Sequence, residues 1–118
     1  MLAFCCGPIL DGWAAGTAEA LMRSRFTAFA REDADHLLRT WDATARPPAI
    51  RFVPGQRWVQ LEILDIARGA MFDDDGEVEF RARYERDEIP GVLVERSRFV
   101  RDPDRRWVYV GPIESTAL

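Results

Sequence analysis

The sequence predicts an α+β domain in which two N-terminal helices cover one face of an antiparallel sheet of about four strands. Three observations predict this class. Apolar residues recur every three to four positions over residues 17–42, the period changes to two from residue 58, and turn-forming residues separate the later segments. Helices followed by a meander of strands are typical of the α+β class.

The first helix is expected to begin after Thr17, whose hydroxyl suits the N-cap position. One face of this helix is apolar, but Arg25 falls in the middle of it, whereas Arg23 and Arg31 point away. Because a buried guanidinium must be paired, Arg25 is predicted to contact an acidic side chain of the sheet. The apolar residues of this face are Ala18, Leu21, Met22, Phe26, Ala28 and Phe29.

A second, shorter helix is expected to follow, with Asp33 as its N-cap. Its apolar face is formed by Ala34, Leu37, Leu38 and Trp41. His36, the single histidine of the chain, falls in the first turn of this helix. We expect His36 to face solvent and to have no catalytic role.

The strands follow a connection at residues 43–57 that contains prolines and a glycine. In the first strand, Val59, Leu61 and Ile63 alternate with Trp58. A bend or bulge is expected at Gly69, and a hairpin turn at residues 73–76, Asp-Asp-Asp-Gly, where the Asp-Gly pair is the signal. The second strand turns Val78, Phe80, Ala82 and Tyr84 to one face.

The last two strands are expected to form a hairpin around the turn at residues 102–105. In the third strand, Glu95 and Ser97 share a face with two apolar residues, Leu93 and Phe99. Glu95 is therefore the natural partner for Arg25. Residues 107–110 form the last strand.

Composition excludes several function classes. The 118-residue chain has a net charge of −4, which argues against a general affinity for nucleic acid or anionic membranes. It contains no apolar run long enough to span a bilayer, and its first residues do not have the pattern of a signal peptide. We expect a cytoplasmic protein, either a monomer or a homodimer, without a cofactor.

The two cysteines, Cys5 and Cys6, are adjacent and cannot form a disulfide that ties down a loop. They could supply two ligands of a zinc site, but a structural zinc site takes four. His36 lies roughly thirty residues away on a helix. The sequence therefore predicts no bound metal.

Five segments of the chain, taken together and in order, resemble the YchJ-type family of bacterial proteins. These are Cys-Cys-Gly-Pro-Ile-Leu-Asp-Gly, Ala-Glu-Ala-Leu-Met-Arg-Ser-Arg-Phe, Asp-Ala-Asp-His-Leu-Leu-Arg-Thr-Trp, Glu-Arg-Ser-Arg-Phe-Val and Arg-Trp-Val-Tyr-Val. The resemblance implies a nuclear-transport-factor-2-like (cystatin-like) fold, a cone of helices packed into a bent sheet. It also implies one such domain over residues 17–118, preceded at residues 1–16 by the remnant of a SEC-C zinc motif and a linker. The sequence begins just before the second cysteine pair of that motif, so either the true start lies upstream or the site has been lost, and zinc is not carried over.

The candidate site lies where such a cone would open. Arg25 and Glu95 are its polar anchors, and the lining is completed by Trp41, Trp58, Tyr84 and Ser97. Two interpretations stay open: these residues form a small-molecule pocket, or Arg25 and Glu95 form an ion pair that fixes the helix on the sheet while the aromatic residues fill the core.

Three functions are compatible with the sequence. A non-catalytic binding or interaction module is preferred, with a small apolar or mixed-polarity ligand or a protein segment in the cone. The SEC-C motif, which the resemblance associates with docking onto the export or translation machinery, agrees with this choice. An isomerase or dehydratase is the second candidate, because ketosteroid isomerase and scytalone dehydratase have this fold. Those enzymes use an Asp, Tyr or His in the cone, and His36 is expected outside it. The third is a structural domain with a filled core.

Overall fold

The computed structural model describes residues 15–117 and has the predicted α+β architecture. Two consecutive helices precede a four-stranded antiparallel sheet whose strand order follows the sequence, β1-β2-β3-β4. No helix in this part of the chain is long and apolar enough to cross a membrane. The elements are α1 (Ala18–Arg31), α2 (Ala34–Arg39), β1 (Gln56–Arg68), β2 (Asp75–Arg86), β3 (Ile89–Arg101) and β4 (Trp107–Ala117).

Both helices begin at the residues that the sequence indicates. The Thr17 side chain accepts a hydrogen bond from the Ala20 amide at 3.1 Å, and Asp33 Oδ1 accepts one from the His36 amide at 3.1 Å. These bonds satisfy amides that would otherwise have no partner in the first helical turn. Between the helices Glu32 takes a left-handed conformation with φ of 56°, which ends α1 and lets α2 turn back against it.

The core lies between α1 and the inner face of the sheet. Helix α1 contributes Leu21 and Met22 to this core. The strands contribute alternate residues of β2 together with Phe99 and Trp107. The predicted inward face of β2 is confirmed: its buried members are Val78, Phe80 and Ala82.

Strand β1 departs from simple alternation because it carries two bulges. Its pairing with β2 shifts between Trp58 and Gln60, so Val59 is an extra residue and is 46% exposed. An extra residue in one strand reverses the side-chain alternation beyond it. As a result, Trp58 lies on the inner face with Leu61 and Ile63, and its predicted position on the opposite face was wrong.

The first hairpin turn lies earlier than predicted. Asp75 already pairs with Val100 of β3, and Gly76 pairs both with Arg68 of β1 and with Phe99 of β3. The connection between β1 and β2 therefore consists of residues 69–74. Gly69 provides the expected bend, with φ of 77°, and its carbonyl accepts a hydrogen bond from Ala18 N at 2.9 Å. The Asp-Gly pair is explained by packing rather than by turn geometry, because Gly76 lies directly against the backbone of Gly69.

This contact makes Gly76 intolerant of any side chain. A Cβ at Gly76 would lie 2.7 Å from Gly69 N and would clash with Gly69 Cα, and neither atom can move without shifting the loop. We expect Gly76→Ala to lower the free energy of unfolding by roughly 3 kcal/mol, at the upper end of overpacking effects. Urea unfolding measures this loss. Gly111→Ala is the matched control, because nothing lies within 4 Å of a Cβ there, and an equal effect of both substitutions would contradict the prediction.

Candidate functional site

A cavity of about 120 Å³ lies between part of α1 and the inner face of the sheet. Four of the six predicted site residues line it: Arg25, Trp41, Trp58 and Glu95. Most of the other wall residues are apolar, so the cavity is an apolar space with a few polar groups. The full lining consists of Met22, Arg25, Phe26, Phe29, Trp41, Trp58, Phe80, Ala82, Leu93, Glu95 and Tyr109.

Arg25 is buried as predicted, with 2% of its surface exposed. Its Nη1 donates to the Leu37 carbonyl and to Thr40 Oγ1, both at 2.8 Å. The guanidinium also lies 4.4 Å from the ring centre of Tyr109 and 4.9 Å from that of Trp41. Burial lowers the pKa of Arg25 to about 10, against the opposing influence of Tyr109 and Glu95, so the group remains charged at neutral pH.

The partner predicted for Arg25 was wrong. Among the side chains of residues 15–113 no carboxylate forms a salt bridge with its guanidinium, and Glu95 acts on it only through its charge at longer range. The last turn of α2 provides the acceptors instead. Carbonyls at a helix C-terminus have no partner within the helix and carry partial negative charge, so they suit a buried cation.

Glu95 is held by two hydroxyl groups. Its Oε2 accepts hydrogen bonds from Ser97 Oγ and, at 3.0 Å, from Tyr109 Oη. Burial and the nearby charge of Glu95 raise the pKa of the Tyr109 hydroxyl well above its usual range, which keeps this group protonated. Glu95 is thus an oriented acceptor in the wall of the cavity.

Two predicted site residues support the lining without forming part of it. Ser97 is completely buried and orients Glu95 through the hydrogen bond described above. Tyr84 packs edge-on against Trp58, with 5.1 Å between ring centres. Neither side chain lines the cavity.

Tyr109 is the polar site residue that was not predicted from the sequence. It pairs with Phe99 across β3 and β4, next to an irregularity in their register. The alternation of Trp107 and Tyr109 was a usable signal, because both fall on one face of a short strand. The contact between Tyr109 and Glu95 could not be predicted, since it depends on irregularities that shift the pairing of β3 with β4.

His36 is buried, and the expectation that it faces solvent was wrong. Its Nδ1 lies 2.9 Å from Arg39 Nη2 and its Nε2 lies 2.9 Å from Ser24 Oγ. Because a guanidinium only donates, we assign the neutral tautomer in which Nδ1 accepts and Nε2–H donates to Ser24. Ser24 Oγ then donates to the Leu21 carbonyl at 2.7 Å, so His36 joins the two helices outside the cavity.

No group of three or more His, Cys, Asp or Glu side chains within residues 15–113 is arranged to hold a metal ion. Cys5 and Cys6 lie outside the described residues, as does most of the predicted SEC-C remnant. The expectation that the chain binds no zinc therefore stays a prediction.

Helices laid across one face of a four-stranded antiparallel sheet, with a cavity beneath the first of them, define a nuclear-transport-factor-2-like α+β domain. Residues 17–112 match the family described as YchJ, middle NTF2-like domain, and the chain belongs to this family.

Relatives and solved structures agree with this assignment. The chain is 53% identical to the UPF0225 protein SCO1677 of Streptomyces coelicolor over 106 residues, which cover 89% of this chain and 82% of the relative. A UPF0225 protein of Polaromonas sp. is 50% identical, over 90% of this chain and 77% of its own length. The solution structure of a SEC-C motif containing protein from Rhodopseudomonas palustris superposes with a TM-score of 0.79 at 30% identity, over 100% of this chain and 92% of that chain. A crystal structure from Psychrobacter arcticus, also of a SEC-C motif containing protein, has a TM-score of 0.71 at 22% identity over 100% of this chain and 75% of the other, and it supports the fold alone.

Proposed function

We propose that this domain is a cytoplasmic, non-catalytic binding module that holds a small ligand of mixed polarity in the cavity beneath α1. One observation carries the proposal. A space of about 120 Å³ lies between the helix and the sheet. Its wall contains the buried, charged guanidinium of Arg25 and the carboxylate of Glu95, which two hydroxyl groups hold in place.

The size of the cavity supports binding over a filled core. Protein interiors leave few voids larger than a water molecule, because lost contacts around an empty space cost stability. An engineered apolar cavity of about 150 Å³ in another protein binds benzene. The space here is close to that size and is therefore large enough for roughly one six-membered ring.

The protonation states of Arg25 and Tyr109 argue against either residue as a general base. A general acid or base works best when its pKa lies near the operating pH. Burial leaves Arg25 with a pKa of about 10 and raises that of Tyr109, so both stay protonated at neutral pH. His36, the residue type best suited to proton transfer, bonds to Ser24 outside the cavity.

Filling the cavity tests the proposal. Ala82 lines it on β2, so Ala82→Leu would place three additional carbon atoms in the space that a ligand needs. We expect the wild-type protein to bind neutral one-ring aromatic compounds saturably, and Ala82→Leu to weaken their binding at least about tenfold. Chemical-shift changes in a ligand titration followed by NMR measure the affinity.

Ala30→Leu is the matched control, because it adds the same atoms at an exposed position near the end of α1. It should leave the affinity unchanged. Failure of the wild-type protein to bind any one-ring compound would refute the binding module. Conversion of a bound one-ring ketone or epoxide, lost in Glu95→Gln, would establish the isomerase or dehydratase alternative instead.

A further inference from the structure

The walls of the cavity favour a flat ring as its occupant. Phe26 and Phe29 both pack against Trp58, each with 6.3 Å between ring centres, and Phe80 and Leu93 add further apolar surface. A wall of aromatic rings suits an aromatic ligand, because aromatic pairs gain from offset or edge-to-face contacts. The volume of about 120 Å³ accommodates roughly one ring with a small substituent.

Arg25 has hydrogen-bond donors to spare in the wall of the cavity. It uses Nη1 for Leu37 and Thr40, and no other hydrogen bond from its guanidinium is found in the described part of the chain. Buried polar groups almost always have a partner, so these nitrogens favour an acceptor atom in this space. The indole Nε1–H of Trp41 also has no partner among the described residues, but this nitrogen has almost no accessible surface and does not reach the cavity.

One acceptor faces the same space. Glu95 Oε2 accepts hydrogen bonds from Ser97 and Tyr109. Within the described part of the chain no hydrogen bond reaches Glu95 Oε1. The lining therefore offers donors and an acceptor together. A ligand group that both donates and accepts, such as a hydroxyl or an amide, can bond to both sides.

The charges of the lining disfavour an ionic ligand. Arg25 carries a positive charge and Glu95 a carboxylate, so the two formal charges in the wall balance. A ligand carboxylate would meet Glu95, and a ligand ammonium would meet Arg25, in a place where water does not screen them well. Either ion would also lose its hydration shell on entry.

We propose that the ligand is a neutral one-ring aromatic compound that bears a single hydroxyl or amide group, of which phenol is the simplest member. This inference rests on the proposed binding function and adds the chemical class of the ligand. The ring lies beside Trp58, and the hydroxyl donates to Glu95 and accepts from Arg25.

Four compounds with the same ring test the inference: phenol, toluene, benzoate and benzylammonium. Their dissociation constants for the wild-type protein are measured by NMR titration at neutral pH and in the same buffer. We expect phenol to bind at least about tenfold more tightly than toluene, because toluene leaves the polar groups of the site unpaired. Benzoate and benzylammonium should bind at least about tenfold more weakly than phenol.

A variant identifies the acceptor. Glu95→Ala removes the carboxylate that accepts from the ligand hydroxyl, so it should reduce the preference for phenol over toluene. Glu62→Ala makes the same exchange at an exposed position of β1, outside the lining, and should leave that preference in place. The ranking of the four compounds by the wild-type protein stands as a test even if a variant does not fold.

The outcomes separate this inference from the proposed function. Equal affinity for phenol and toluene, or tightest binding of benzoate or benzylammonium, would overturn the ligand class and leave the binding module intact. Failure of all four compounds to bind would overturn both.

Discussion

Arg25→Met is expected to lower the free energy of unfolding by about 3 kcal/mol. The substitution keeps an unbranched side chain but removes two hydrogen bonds from a charged donor, each worth roughly 1.5–3 kcal/mol. It also removes the contacts of the guanidinium with the rings of Tyr109 and Trp41. The loss is moderated because an apolar side chain is cheaper to bury than a charge. Urea unfolding of both proteins measures the difference.

Arg23→Met is the control for this prediction, because it makes the same exchange on the same helix. Arg23 is partly exposed, and its ion pair with Glu19 joins neighbouring turns of α1. Such a surface pair contributes at most about 1 kcal/mol. If both substitutions cost the same, Arg25 does not link the helices as its contacts indicate.

The burial of Arg25 was predictable, whereas its partners were not. Its position between Leu21 and Phe29 on a helix with period 3.6 determines which way it points. The Leu37 carbonyl and Thr40 became its acceptors because α2 turns back against α1 after Glu32. That turn is a property of tertiary packing, and no spacing within either helix indicates it.

The same limit applies to the sheet and to the candidate site. The inward face of β2 followed from strict alternation, but one extra residue at Val59 reversed the phase of β1. Tyr109 meets Glu95 only because β3 and β4 pair with irregular register. Local patterns therefore identified most of the lining, and the contacts within it depend on bulges and pairings between distant segments.

His36 provides a second large effect, which depends on pH. Burial, with a smaller contribution from the charge of Arg39, lowers its pKa from 6.5 to about 4 in the folded protein. Above pH 6.5 the imidazole is neutral in both the folded and the unfolded chain, so its titration does not affect stability. Between pH 6.5 and pH 4 the unfolded chain binds a proton that the folded chain excludes, and the free energy of unfolding falls. At about 1.4 kcal/mol for each pKa unit, the total loss is roughly 3 kcal/mol.

His36→Gln isolates this loss, because the carboxylates that titrate nearby are common to both proteins and the chain has one histidine. We expect the stability of the wild-type protein to fall more steeply than that of the variant between pH 6.5 and pH 4, and the two curves to run parallel above pH 6.5. Equal slopes over the whole range would show that the imidazole gains its proton as easily in the folded protein as in the unfolded one. The imidazole Cε1–H resonance of the wild-type protein provides an independent measurement. It should remain at the shift of a neutral ring until the pH approaches 4, because protonation would turn Nδ1 into a donor facing the Arg39 guanidinium.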